Sequence, residues 1–497
     1  MAALFSGKGA SPRPAVSTDS LSPPISRFAT LVRVIEGPSS CDRAPDGKAM
    51  LHDAIRCYHD LLTDQLAADS QAQLDQQQQA RGLFFGERPI CTVLRPRFLT
   101  VTQFRFLEQR TRILCSAFRI IQRAAEDDPA FRRQFGLTEA EEALFQKHPG
   151  FRCPYPTSRL DAFFVSEQEL RFTEYNTETP AGAAYTDVLA EVFLGLPIVA
   201  EFAKHYAVRS LPVRHTILQV LLDAYRQWRG TSERPNIAIL DWREVPTYNE
   251  FVLFYDYFRS QGLDCVIADP REVEYRDGKL WAGDFRVDLI YKRVLIGELL
   301  ERGGLEHPVV RAVRDGAVCM VNSFRCKPLY KKASFAVLTD EANAHLFDAE
   351  QRQAIAEHIP WTRRVEERKT EYRGQTIDLI PFVLQNRERL VLKPNDDYGG
   401  KGVVLGWTAD ASTWDQAVRT ALREPYVVQE RISLPSEPFP RLVGDRVQIG
   451  ECLLDTDPYV SYGLFMDGCM TRISTAELLN VTAGGGSTVP TFLIEPR

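Results

Sequence analysis

The chain has 497 residues, 44% hydrophobic and 25% charged, a balance that implies a sizeable buried core and about two to four domains. A formal net charge of −6 excludes broad electrostatic capture of nucleic acid or anionic membrane, but leaves room for a local basic pocket for phosphates. No apolar stretch reaches the roughly 18 residues of a membrane helix, and the start, MAALFSGKGASPRP, lacks the regions of a secretory signal, so the expected location is cytoplasmic.

Residues 1–45 are rich in Ser, Pro, Ala and Gly without a sustained hydrophobic period, and a disordered arm is expected there. Leu51, Ile55, Tyr58, Leu61 and Leu62 recur at helical steps, predicting a helix. The glutamine run 71–79 reads as a solvated helix face or a loop. A second helix is predicted over 103–125, and residues 46–145 are expected to be mostly helical. In the middle of the chain, the apolar run 237–242 predicts a strand. A helix over 250–258 ending at Gly262 follows, then a strand over 264–268, a βαβ unit that implies a parallel sheet. Residues 287–291 and 318–321 are predicted to extend it.

After Phe324, strands are predicted at 390–393, 403–405, 426–429 and 447–453, with a helix over 342–358 on one side of an antiparallel sheet. The fold class expected is α/β (α+β). The run Arg363, Arg364, Arg368, Lys369, Arg373, interleaved with glutamates, reads as a solvated ion-pair surface, and Asp455 and Asp457 read as a loop. The ten cysteines include no Cys-x-x-Cys pair and the eight histidines no i, i+4 pair. Reduced, buried thiols are therefore expected, and no zinc site.

Chemistry concentrates in LVLKPNDDYGGKGVVLG, residues 390–406. A strand delivers Lys393 to its end, and Gly399, Gly400 and Gly402 permit a turn whose backbone N–H groups converge on an anion. This is either a phosphate clamp with Lys393 as its point charge or an ordinary hairpin. The strand YVVQERI, 426–432, ends in Gln429 and Glu430 and could present a backbone edge and an acidic side chain to an adenine amino group and ribose. It reads equally as an interior strand that reaches solvent at Gln429. Lys331 and Lys332 precede an apolar helical run, and either supplies a second phosphate lysine or both are surface.

These segments join a wider pattern: Arg159-x-Asp161, Glu174-Tyr-Asn176-x-x-x-Pro180-Ala181-Gly182, Leu240-Asp241-Trp242, Asn322-Ser323, the Lys393 loop, Thr471-Arg472-Ile-Ser474, and Asn480 through Gly484-Gly485-Gly486 to Val489-Pro490. Spread in one order over roughly residues 80 to 497, the pattern resembles the circularly permuted ATP-grasp type 2 family, related to glutathionylspermidine synthase. The resemblance implies a permuted ATP-grasp fold with a disordered arm (1–45), a helical segment (46–145), a metal-binding part (146–230), a parallel pre-ATP-grasp domain (231–323) and a nucleotide-binding domain (324–497). It implies ATP and Mg²⁺ as cofactors. Asp161, Glu174 and Asn176 would be metal ligands, hard oxygen donors on strands. Lys332, Lys393, Gly399, Gly400, Gly402, Gln429, Glu430 and Ile432 would hold the nucleotide. Arg159 would face the transferring phosphoryl group. Arg472 would share that task or serve as a structural ion-pair partner, and Gly484–Gly486 would form a substrate loop or a tight turn. The activity implied is ATP-dependent ligation of a small-molecule or peptide carboxylate to an amine through an acyl phosphate. The alternatives are a weakly active or inactive ATP-binding partner protein and a small-molecule kinase.

Overall fold

The βαβ pattern in the middle of the chain forms a four-stranded parallel sheet in the order Cys319–Val321, Leu289–Lys292, Ile237–Leu240, Cys265–Ala268. The structure is a computed structural model that describes residues 47–397, 399–476 and 486–497. The arm expected over 1–45 and the Asn480, Gly484 and Gly485 positions lie outside the described residues. The two central strands are apolar throughout apart from the terminal Lys292 and buried at every position, as strands covered on both faces must be. The intervening helix, Tyr248–Ser260, ends in the turn predicted at Gly262, which has φ +73°. The strand expected over 287–291 begins two residues later, at Leu289. Phe285–Val287 instead pairs with Lys279–Ala282 in a separate three-stranded antiparallel sheet.

A second sheet, antiparallel, runs Thr362–Arg364, Tyr426–Glu430, Leu390–Pro394, Val404–Leu405. Leu390, Leu392 and Val428 turn one way into a small core with Trp414, leaving Val391, Lys393 and Gln429 on the opposite face. The largest sheet joins distant parts of the chain. Its order is Ser436–Val443, Arg446–Leu454, Phe465–Ser474, Asp457–Ser461, Thr157–Ser166, Glu169–Asn176. The early hairpin, 157–176, is thus the continuation of strands near the other end of the sequence. The C-terminal strand Thr491–Pro496 likewise sits between Arg97–Thr100 and Tyr206–Ser210.

The early helices are those expected, with different details. Gly47–Leu61 and Val101–Asp127 are helical, the latter started by a Thr100–Gln103 capping box. The glutamine run lies in the helix Asp64–Arg81, but Gln78 is buried. Its side chain donates to the Cys91 carbonyl at 3.0 Å and accepts the Cys91 N–H at 2.9 Å. The helix predicted over 342–358 is two pieces, a 3₁₀ segment Glu341–Leu346 and an α-helix Ala349–His358. Asp348 breaks it by capping the second piece in a box with Gln351.

The arginine run is not simply a solvated face. Arg363 is 2% exposed, donates to Thr370 Oγ1 at 2.6 Å and pairs with Glu341 at 2.7 Å. Every cysteine among the described residues is a free thiol. No helix among them is long and apolar enough to cross a membrane.

Phe118, buried on the long helix, packs against Tyr175 (4.6 Å between ring centroids) and Phe335 (5.4 Å). It therefore supports both the Glu169–Asn176 strand and the helix that follows Lys332. Phe118→Ala is expected to cost about 3–5 kcal/mol, read as a lowered urea midpoint, with Phe118→Leu retaining most of the stability.

Candidate functional site

Strand register gathers the polar residues of the largest sheet onto one face. In an antiparallel pair, residues directly opposite share a face, as do residues two apart. Arg159 is opposite Asn176, and Asp161 opposite Glu174. Tyr459 is opposite Arg159, and Asp457 opposite Met470, two residues before Arg472. Arg159, Asp161, Glu174, Asn176, Asp457 and Arg472 therefore project to the same side. Asn322, buried at the end of its strand, locks the hairpin: it donates to the carbonyls of Thr157 and Thr177, both at 2.7 Å.

The center of this face is a network of ion pairs. Asp161 accepts from Arg159 Nε (2.8 Å) and Nη2 (3.1 Å), from Arg472 Nη2 (2.8 Å) and from Asn176 Nδ2 (2.9 Å). Arg472 also reaches Asp455 at 2.6 Å and Asp457 at 3.0 Å. Burial alone would raise Asp161, but Arg159 and Arg472 hold it at about 2. Burial pushes Asp455 and Asp457 upward, reinforced in each case by the charge of Asp161.

Facing this floor is the Lys393 strand. The Lys393 ammonium donates to Gln429 Oε1 at 2.7 Å, and Gln429 is oriented by its own donation to Thr362 Oγ1 at 3.0 Å. Burial, with the repulsion of Lys332, pushes Lys393 down to about 8 against the pull of Glu174. The two neighbouring lysines separate in role. Lys332 points inward, donating to Glu174 Oε1 (3.1 Å) and the Asp397 carbonyl (2.6 Å). Lys331 points away, onto Glu141 and Asp396.

The glycine-rich turn has a fixed root. Asp396 is clamped between Lys327 (2.9 Å) and Lys331 (2.6 Å), which hold its carboxyl well below the usual range despite burial. Asn395 accepts the Ala333 N–H at 2.8 Å and donates to the Phe135 carbonyl at 2.9 Å. Beyond this root, Gly399 and Gly400 have φ of +68° and +74°. Gly402 also has a positive φ, +69°, and a Cβ there would lie 2.7 Å from Pro394 Cγ.

Two chambers meet across this arrangement. The larger, about 790 Å³, is lined by Lys332, Lys393, Gly399, Gly400, Gln429, Glu430 and Ile432 together with Asp161, Glu174 and Arg472. Arg373 lines its rim and pairs with Glu430 at 2.7 Å, as does Tyr372 at 2.8 Å. The smaller, about 260 Å³, is lined by Arg159 and Asn176 and reaches the carboxyl ends of the parallel strands. Asp161, Glu174, Gly399 and Arg472 line both. Of the residues expected to hold metal, nucleotide or phosphoryl group, Gly402 and the alternative lysine Lys331 border neither chamber.

Glu174 and Asn176 offer one carboxylate and one amide oxygen on the same face, and Asn176 turns its Nδ2 onto Asp161. That donor set suits a hard cation that completes its shell with water and phosphate oxygens. Among the described residues no group of three His, Cys, Asp or Glu could hold a metal alone, so the pair fits a cation shared with bound phosphates. Asp161 differs from the other two, because its oxygens already accept four hydrogen bonds from the two arginines and Asn176.

Sequence reasoning missed Asp455 and Asp457. They are not a solvated loop: they are 1% and 0% exposed, and Asp457 opens a strand. Their two-residue spacing, placing both on one side of an extended backbone, was the available signal. Lys327, Glu141, Glu178 and Asp396 were also missed, because the clusters they form join residues far apart in sequence.

No family model matches the chain. A protein of Frankia casuarinae named "Putative glutamate–cysteine ligase 2-2" is 26% identical over 333 residues, covering 63% of this chain and 36% of that protein. A "Putative glutamate–cysteine ligase 2-3" of Frankia alni is 25% identical over 214 residues, covering 41% and 23%. The chain thus spans well under half the length of these curated relatives. Among solved structures, a glutathione synthetase-like effector from Globodera pallida in its apo form aligns with a TM-score of 0.52 at 13% identity. The alignment covers 90% of this chain and 98% of that one, a likeness of fold.

Removing Arg472 would leave Asp455 and Asp457 buried without their main counter-charge. Arg472→Ala is expected to destabilise the protein by about 3–5 kcal/mol, measured as a lowered denaturant midpoint, whereas substitution of the exposed Arg446 would change it by less than about 0.5 kcal/mol.

Proposed function

We propose that this chain is an ATP-dependent ligase of the circularly permuted ATP-grasp type, joining a carboxylate to an amine through an acyl phosphate. The observation that carries the reading is the facing of two walls across one cavity. Lys332, Lys393 and the positive-φ turn at Gly399–Gly400 stand on one side, and Glu174 and Arg472 on the other. The pairing of the 157–176 hairpin with strands after residue 457 supports the permuted arrangement. Glu174 borders the same cavity as Lys393 although it comes far earlier in sequence. The likeness of fold to a glutathione synthetase-like effector and the similarity to proteins named as glutamate–cysteine ligases support the reaction class.

In this reading the larger chamber takes ATP. The adenine and ribose rest near Gln429, Glu430 and Ile432, and the phosphates lie between Lys332, Lys393 and the glycine turn. Glu174 and Asn176 would hold Mg²⁺, which supplies neutralisation of the phosphate charge when bound. The carboxylate substrate sits in the smaller chamber. Its oxygen attacks the γ-phosphorus, the bond from phosphorus to the β–γ bridging oxygen breaks, and ADP leaves. The amine nitrogen then attacks the acyl carbon, loses a proton and expels phosphate. Such transfer depends on position and charge, and calls for no protein nucleophile. Lys332, Lys393 and Arg472 provide the positive charge, and the turn at Gly399 and Gly400 excludes water from the acyl phosphate when it closes. Arg159, held through Asp161 and the Ala181 carbonyl, positions the seam between the chambers.

The test is ADP release from ATP and Mg²⁺ with pooled carboxylates and amines, each pool added or omitted. Release that requires both pools, and that is lost in Glu174→Ala, is expected. Lys393→Ala should lower it by about 10²–10³-fold with an unchanged circular dichroism spectrum. Turnover unaffected by Lys393→Ala overturns the site assignment. A phosphorylated product that persists without any amine would instead mark a kinase.

A further inference from the structure

The smaller chamber ends at the parallel sheet, in a place the nucleotide reading does not use. Asp241 immediately follows the strand Ile237–Leu240, and Arg293 immediately follows the adjacent strand Leu289–Lys292. From Ile237–Leu240 the chain first adds a neighbour on one side, Cys265–Ala268, and later one on the other, Leu289–Lys292. The crevice between Asp241 and Arg293 is therefore where strand order reverses, the position at which open parallel sheets hold ligands beyond their carboxyl ends.

The two cations that flank this crevice are engaged elsewhere. Arg293 is already committed: it donates to Glu250 Oε2 at 3.1 Å, to the Pro180 carbonyl at 2.7 Å and to Tyr291 Oη at 3.2 Å. Lys292, behind the strand, is turned to the Glu178 and Val294 carbonyls. Asp241 is 8% exposed and lines the chamber, and the hydrogen bond it accepts comes from the Trp242 backbone N–H at 2.8 Å. The Trp242 indole N–H donates to Glu298 Oε2 at 2.8 Å, so a single residue orients both carboxylates at the chamber end. Burial, reinforced by Glu298, pushes Asp241 up to about 7 against Trp242 N–H, Arg293 and Lys292. A carboxyl so placed lacks a cationic partner of its own. The lining of the chamber also includes the apolar side chains of Val245, Leu295 and Met470.

We infer that the far end of the smaller chamber binds an ammonium group, with Asp241 and Glu298 as its anions. The substrate is then an aliphatic molecule bearing this ammonium at one end and its reacting group at the other, beside Arg472. The inference rests on the ligase reading for which group reacts, but the ammonium site itself stands on the crevice. A volume of about 260 Å³ confines the bound portion to a short chain. The same ammonium could belong to an ω-amino carboxylate, activated at its carboxylate, or to a diamine, reacting at its second nitrogen.

Isothermal titration of the full chain without nucleotide tests this directly. The probes are three- to six-carbon ω-amino carboxylates and diamines, each beside its mono-N-acetylated form. At least one free-ammonium probe should bind tenfold or more tightly than its acetylated counterpart. Asp241→Asn should erase that ratio, Glu298→Gln should reduce it, and neither should alter ATP affinity measured separately. The probe set that binds tells which group reacts. Equal binding of free and acetylated probes, an unchanged ratio in Asp241→Asn, or no binding by any probe overturns the inference. The ligase reading fails separately: an intact ammonium preference with no ATP binding would remove the ligase and keep the site. ADP release sustained by acetylated substrates would do the reverse.

Discussion

Two guanidinium groups set among three buried carboxylates hold the site's floor in register. Arg472 reaches Asp455, Asp457 and Asp161, and Arg159 grips Asp161 from its other side. Five charged groups withdrawn from water are stable only if each finds its partner, and this set does so in one alignment of the strands. A slip of one residue between 157–166 and 457–461 would turn Arg159 and Asp161 to the face opposite Asp457 and Arg472. The position of Glu174 and Asn176 opposite Lys393 follows from that alignment, because they lie on the next strand outward.

A different device holds the other wall. Asp396 is fixed by Lys327 and Lys331, and Lys327 is fixed in turn by Glu178, two residues beyond Asn176. The root of the glycine turn is thereby tied to the end of the Glu-x-Asn strand. Beyond that root, the backbone passes through conformations that only glycine adopts without strain. The two walls are thus tied by ion pairs at their bases. Asp161, Glu174, Gly399 and Arg472 border both chambers, so a group transferred from one to the other would pass among these four.

Much of this fold is legible locally. The parallel strands are continuous apolar runs, and the Lys393 strand alternates between core and cavity, so both announce themselves within a few residues. What stayed hidden depends on distant partners. Lys331 and Lys332 are indistinguishable in sequence, and it is Glu141, 190 residues before Lys331, that draws one of them out of the cleft. Arg363 looks like a surface charge until Glu341, 22 residues away, meets it in the interior. Asp455 and Asp457 read as loop residues because their counter-charges arrive from other strands. Asp348 is the exception, a local capping signal inside a segment read as one helix. Residues of the Arg159, Glu174, Lys393 and Arg472 motifs, far apart in sequence, border the two adjoining chambers.

The strand Thr157–Ser166 completes its pairing with Asp457–Ser461, and Ala162 donates to Asp457 across 295 residues of sequence. During synthesis at about 5–20 residues per second, roughly 15–60 s separate the emergence of these partners. For that interval the hairpin 157–176 presents an open strand edge, and Arg159 and Asp161 have each other, Asn176 and the Ala181 carbonyl but not Arg472 or Asp457. The floor of the site therefore forms late, once residues beyond 470 have left the ribosome. Protection of that nascent edge from other unpaired strands is a demand on the cell that the finished fold no longer shows.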